Sequence, residues 1–257
     1  MPKRTARAEI AFSLATFASE AGVILDRLQK SGCASRSKAD GSPVSEADLQ
    51  SEALIAARLA AAYPDIPVIS EEKTQEFAID PQKPFFLVDP LDGTRAFLAG
   101  LPEYCILIAL IEKGAPVLGA IHAPATGATW WGGNKVHASA DRGFSQIRTI
   151  APRPERPDGQ IAIISRESAR ESSEALCEHL NVSEIRLENS ALKFVRMLEG
   201  EADLYPRAGR TMQWDIAAGD ALLRLLGGGV FDLSGNPLCY GQGEQGWANP
   251  DFIALRA

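Results

Sequence analysis

The chain has 257 residues, 46% apolar and 23% charged, a balance that excludes a disordered or collagen-like polypeptide and leaves room for one large or two fused domains. Its 26 Lys and Arg against 33 Asp and Glu give a net charge of −7, which speaks against nucleic-acid binding, since that rests on neutralising phosphates. A phosphorylated small molecule stays admissible if something local supplies positive charge.

Cys33, Cys105, Cys177 and Cys239 are far apart and form no Cys-x-x-Cys pair, so neither a disulfide scaffold nor a thiolate zinc site is expected, and a reducing cytoplasm fits. His122, His137 and His179 are not spaced as a ligand pair. No apolar signal-peptide core follows Pro2-Lys3-Arg4, and the longest apolar run, 105–111, is far below the ~20 residues a bilayer span takes. No transmembrane segment is therefore expected.

In chain order, Ile10, Leu14, Phe17, Ala21, Ile24 and Leu28 recur at steps of three or four and predict a helix over about 6–29. A polar loop, 36–43, leads to Ser45, read as the N-cap of a second helix that runs to about Ala62 and stops at Pro64. The runs 67–70 and 85–89 read as buried strands. Three more strands, 104–110, 117–122 and 129–131, are separated by the turn signals Lys113-Gly114 and Thr126-Gly127. Three prolines in 151–159 mark a linker, and the chain is divided there into an N-terminal lobe, 1–155, and a C-terminal lobe, 156–257. Beyond it strands (161–165, 185–187, 202–205) alternate with helices (168–180, 191–199, 216–226), a pattern that says α/β.

The run Asp89-Pro90-Leu91-Asp92-Gly93-Thr94 follows a buried strand directly, so it lies where α/β proteins place ligands. Two carboxylates and a carbonyl around a Pro-forced turn can converge on a hard cation such as Mg²⁺; an acidic β-turn explains the same run. Glu71 and Glu72 end another apolar strand, Asp215 opens the helix 216–226, and Asp48 opens the second helix. Each has a plainer reading: a solvated loop for Glu71 and Glu72, an N-cap for Asp215, the third position of a capping box with Ser45 for Asp48. Acids at the ends of separate elements are nevertheless what a multi-metal site needs, and metals among them would make an acidic site attractive to phosphate.

These runs resemble the inositol monophosphatase-like family of Mg²⁺-dependent, lithium-sensitive phosphatases. The family carries Asp-Pro-(Leu/Ile)-Asp-Gly-Thr, an upstream Glu-Glu and a downstream Trp-Asp, which stand here as 89–94, Glu71-Glu72 and Trp214-Asp215. The stretches 40–48, 67–72, 163–166, 190–194 and 204–207 are similar to one branch, the bacterial 3′(2′),5′-bisphosphate nucleotidases of sulfur assimilation. Arg95 and Asp220 depart from that branch, where Lys and His are common. The resemblance implies a layered αβαβα sandwich and two or three Mg²⁺ held by Glu71, Asp89, the Leu91 carbonyl, Asp92 and Asp215. It implies an Asp48–Thr94 dyad orienting the attacking water with Glu71 nearby, and a phosphate held by the Gly93 and Thr94 N–H groups. The expected substrate is a small phosphorylated nucleotide, 3′-phosphoadenosine 5′-phosphate. Its second phosphate would be held by Lys193 and Arg207, helped by Arg210. Inositol, sugar and histidinol phosphates are the alternatives within the family. A haloacid-dehalogenase-type phosphatase is the rival outside it, but its Asp-x-Asp spacing is one residue shorter. A cytoplasmic enzyme is expected; a homodimer and a peripheral place at the inner membrane stay open.

Overall fold

The computed structural model describes residues 4–37, 43–72, 79–154, 156–166, 170–178, 180–241 and 246–256. Helices α1 (Arg4–Ser31) and α2 (Glu46–Ala62) pack side by side, joined by a short antiparallel pair, β1 (Ser35–Ser37) with β2 (Pro43–Ser45). That pair lies where the sequence reads only as a polar loop; β1 is exposed along its length, so no apolar alternation announces it. Ser45 caps α2 as expected, its Oγ accepting from the Ala47 N–H at 3.2 Å.

A seven-stranded sheet follows: β3 (Val68–Ser70), β4 (Phe85–Asp92), β5 (Cys105–Glu112), β6 (Ala115–Ala123), β7 (Ala128–Gly132), β8 (Val136–Ser139) and β9 (Ile147–Ile150), adjacent in that order. Only β3 and β4 are parallel; the rest form an antiparallel meander. Both faces are covered, which is why β4 and β5 read as continuous apolar runs rather than as alternation. Phe86 and Val88 of β4 point to Leu14, Ala18, Ala21 and Leu25 of α1 and to Ile55 and Leu59 of α2. Phe85 and Leu87 point the other way. Burying a side chain of this kind is worth about 1.5–3 kcal/mol, so each strand stabilises two interfaces at once.

The second sheet has five strands in the order β11 (Val182–Leu187), β10 (Gln160–Ile164), β12 (Leu204–Arg207), β14 (Phe252–Leu255) and β13 (Gly229–Asp232). The antiparallel β13–β14 pair was not anticipated. Between the sheets run α5 (Leu192–Leu198) and α6 (Gln213–Leu225), sharing a core of Phe85, Leu87, Phe194, Met197, Ala218, Leu222, Tyr205 and Phe252. Glycine permits this closeness: a Cβ on Gly219 of α6 would stand 2.2 Å from the Phe194 ring. The outer face of the second sheet packs Ala162, Ile164 and Leu204 on Cys177 of α4 (Arg170–Cys177). The layers are thus helices, sheet, helices, sheet, helix, the expected sandwich. By length and composition alone α1 could cross a membrane over Ala6–Ser31. Its apolar stripe is spent inside the fold, with Ala11, Leu14, Ala15, Ala18, Ala21 and Leu25 buried.

Candidate active site

Strand β4 ends at Asp92. There Gly93, with φ of 93°, turns the chain into a five-residue helix, α3 (Thr94–Leu98). A side chain at Gly93 would be strained by that φ, and its Cβ would meet the Glu103 carbonyl at 2.7 Å. The tight turn brings Asp92, Gly93 and Thr94 onto one wall of a cavity of about 410 Å³. Glu71, Asp215, Lys193, Arg207 and Arg210 line the same cavity, with Ser165, Asn189, Ser190 and Tyr205. Asp48, Asp89 and Leu91 lie buried behind that wall.

Three carboxylates share one electrostatic environment. Burial raises Asp89 well above the ordinary carboxylate range, and the charges of Glu71, Asp92 and Asp215 raise it further. Burial and the charge of Asp92 push Asp215 up to about 8. Asp92 is also raised by burial, against the pull of the Ala191 N–H and of Lys193. Each is turned on a backbone amide: Asp89 Oδ1 accepts from the Leu91 N–H at 3.0 Å, Asp215 Oδ2 from the Met212 N–H at 2.8 Å, and Asp92 Oδ2 from the Ala191 N–H. Among the described residues no three His, Cys, Asp or Glu side chains already converge as a metal centre. The second oxygen of each carboxylate nevertheless has no protein donor among the described residues. Repelling hard-oxygen donors with a free oxygen apiece are what a divalent cation would neutralise, so the donor set fits Mg²⁺. Glu71, Asp89, Asp92, Asp215 and the Leu91 carbonyl are the residues that would hold it.

Asp48 uses its two oxygens on two different partners. Its Oδ2 accepts from the Ser45 N–H at 2.7 Å and the Ser45 hydroxyl at 2.6 Å, completing the capping box. Its Oδ1 faces the Thr94 hydroxyl at 3.2 Å, which can donate there or, at the same distance, to the Leu91 carbonyl. Asp215 is not the N-cap of α6: Met212 holds that position, and Asp215 sits three residues in, because the helix begins at Gln213 and not near 216.

Both cations expected to hold the second phosphate lie inside the fold. Lys193 is buried within α5 rather than solvated. Its ammonium donates to the Ser190 carbonyl at 2.5 Å and the Glu188 carbonyl at 3.4 Å, and lies 4.9 Å above the Tyr205 ring. Burial brings it down to about 8. Arg207 is buried too, its Nη1 donating to Ser165 Oγ at 2.8 Å, while Arg210 is exposed. Sequence reasoning gave no role to Cys105, whose thiol donates to Asp92 Oδ2 at 3.5 Å, or to Ser190, held at φ of 56°. Ser190 lies in the stretch 190–194; nothing in the sequence marks Cys105. Asp220, the departure noted on α6, lies outside the cavity lining.

The inositol monophosphatase family model matches residues 6–254. The chain belongs to the inositol monophosphatase family. It is 36% identical over 217 residues to a protein of Shigella flexneri named 3′(2′),5′-bisphosphate nucleotidase CysQ, a match covering 84% of this chain and 86% of that one. The protein of the same name from Haemophilus influenzae is 32% identical over 225 residues, 85% of this chain and 82% of that one. Among solved structures, CysQ from Bacteroides thetaiotaomicron superposes with a TM-score of 0.76 at 27% identity, covering 96% of this chain and 97% of that one. An IMPase of Thermotoga maritima shares the fold at a TM-score of 0.73 and 23% identity, over 95% and 90% of the chains. The chain is a phosphatase of this metal-dependent family.

Proposed function

We propose that the chain is a Mg²⁺-dependent 3′(2′),5′-bisphosphate nucleotidase that removes the 3′-phosphate of 3′-phosphoadenosine 5′-phosphate. The observation that carries the reading is the pairing, in one cavity, of a carboxylate cluster with two buried cations, Lys193 and Arg207. A monophosphate needs only the first; a substrate with a second phosphate gives the second a purpose. The names of the CysQ relatives support the same substrate.

Bound Mg²⁺, two or three ions, would supply positive charge for the scissile phosphate and acidify the attacking water. The chain's own part is positioning. Ser45 fixes Asp48 through two hydrogen bonds, and Asp48 in turn accepts a hydrogen bond from the Thr94 hydroxyl, leaving the Thr94 oxygen to accept from water. Glu71 lines the cavity with Thr94 and would help orient that water. The Gly93 and Thr94 N–H groups would hold the phosphate, and Lys193 and Arg207 the second phosphate. A phosphate-release panel with and without Mg²⁺ tests this, with 3′-phosphoadenosine 5′-phosphate against inositol 1-phosphate, fructose 1,6-bisphosphate and histidinol phosphate. The nucleotide should be the best substrate, with activity lost in EDTA and reduced by lithium. A preference for inositol 1-phosphate would move the chain to another branch of the family.

A further inference from the structure

The floor of the cavity is charged and buried, but one lip is exposed and partly apolar. Arg95 and Ala99 of the α3 segment and Leu101 beyond it line the cavity, and all three are exposed. Leu101 is 48% exposed, one of a small set of large apolar side chains left in water. Such exposure on a loose loop would mean little. Here the backbone is pinned: the Leu101 N–H donates to the Ala96 carbonyl at 2.9 Å across Gly100, whose φ is 72°. Gln29, from α1, donates to the Phe97 carbonyl at 3.1 Å and the Leu101 carbonyl at 3.2 Å, and accepts from the Tyr104 hydroxyl at 3.2 Å. Hydrogen bonds from α1 thus hold an apolar side chain in water at the mouth of a polar site.

A flat, weakly polar group laid there would regain the apolar burial that Leu101 and Ala99 forgo. The Arg95 side chain makes no hydrogen bond or ion pair among the described residues, and its planar guanidinium can stack on an aromatic ring. The aromatic side chains in the lining, Phe194 and Tyr205, are buried in the core and offer no such platform. We propose that Arg95, Ala99 and Leu101 form the shelf that takes the nucleobase of a nucleotide substrate and sets the preference for nucleotides over sugar phosphates. The inference rests on the nucleotidase reading above.

The test compares 3′-phosphoadenosine 5′-phosphate with ribose 3,5-bisphosphate, which keeps both phosphates and lacks the base. Leu101→Ser and Arg95→Ala should each lower kcat/KM for the nucleotide about tenfold through KM, an effect of the size a lost apolar contact gives, and change the base-free substrate by less than about twofold. Leu101 is exposed, so the variant should fold as the wild type does. An equal loss on both substrates would make the lip a phosphate contact, and no loss on the nucleotide would make it an incidental surface; either overturns the shelf. A wild-type enzyme inactive on 3′-phosphoadenosine 5′-phosphate would instead overturn the nucleotidase reading itself.

Discussion

Helix α6 carries two carboxylates five positions apart that live in opposite conditions. Asp220 is completely buried, and everything around it neutralises it: Arg224 Nε and the Val230 N–H donate to Oδ1 at 2.9 Å each, and the Tyr240 hydroxyl donates to Oδ2 at 2.8 Å. Asp215 touches the cavity, has one backbone donor, and faces Asp92 and Glu71. Folding built a counter-charge for the first and piled like charges on the second. A buried acid whose partners satisfy it holds a structure together; one whose neighbours repel it awaits something the chain does not contain.

The comparison breaks most visibly by substitution. Asp215→Asn should cut turnover by about a hundredfold or more, since it removes a charged group from the reacting centre, yet leave the melting temperature in chelator unchanged or higher. Asp220→Ala should do the reverse, costing about 3 kcal/mol because Arg224 loses its buried partner, with turnover per folded molecule retained. Denaturant melts and active-site-normalised kinetics on both variants decide it. A stable but inactive Asp220→Ala, or an unfolded Asp215→Asn, would exchange the two roles.

The buried cations sharpen the same contrast from the substrate side. Lys193→Met and Arg207→Lys should lower kcat/KM for 3′-phosphoadenosine 5′-phosphate by about tenfold, as expected for one charge-assisted phosphate contact. Hydrolysis of inositol 1-phosphate should change little. Equal losses would assign both cations to the scissile phosphate, where their influence on Asp92 already reaches.

Much of this was legible in the sequence because the informative residues sit next to strong local signals. Asp89 and Asp92 follow a β-strand run and flank a proline; Ser45 and Asp48 announce a helix start; Lys113-Gly114 makes a turn with both residues at positive φ. What escaped had no local signature. Helix α3 is five residues long, below any readable periodicity. Strand β9 is exposed at three of its four positions, and β14 pairs with β12 and β13 through contacts that no spacing encodes. The contact of Cys105 with Asp92 spans 13 residues and depends on the register of β4 against β5. The start of α6 was placed three residues late because Gln213 and Trp214 carry no capping signal, and that shift alone turned Asp215 from a cap into a member of the third helical position.

The smallest effect follows from protonation without metal. In the folded chain burial and the charge of Asp92 push Asp215 up to about 8, against 3.8 for an unfolded Asp. Asp89 is shifted in the same direction. Between those limits the folded state binds more protons, so stability must fall as pH rises. His122 works oppositely: burial brings it down to about 3 from 6.5, so its contribution is lost as pH drops below 6.5 and is complete above it. Lys193, brought down to about 8, adds stability with rising pH only above that value. His137 is lowered in the same direction as His122, by burial and by the charge of Lys135, so the interval from 6.5 to 8 reports chiefly on the acid cluster. In EDTA the melting temperature should decline by a few degrees across it, Mg²⁺ should flatten the decline, and Asp215→Asn should make it shallower. A melting temperature that rises over this interval, or a slope that Asp215→Asn leaves untouched, would mean that burial and the neighbouring acids do not hold Asp215 protonated in the folded chain, and Asp215 would then be no different in kind from Asp220.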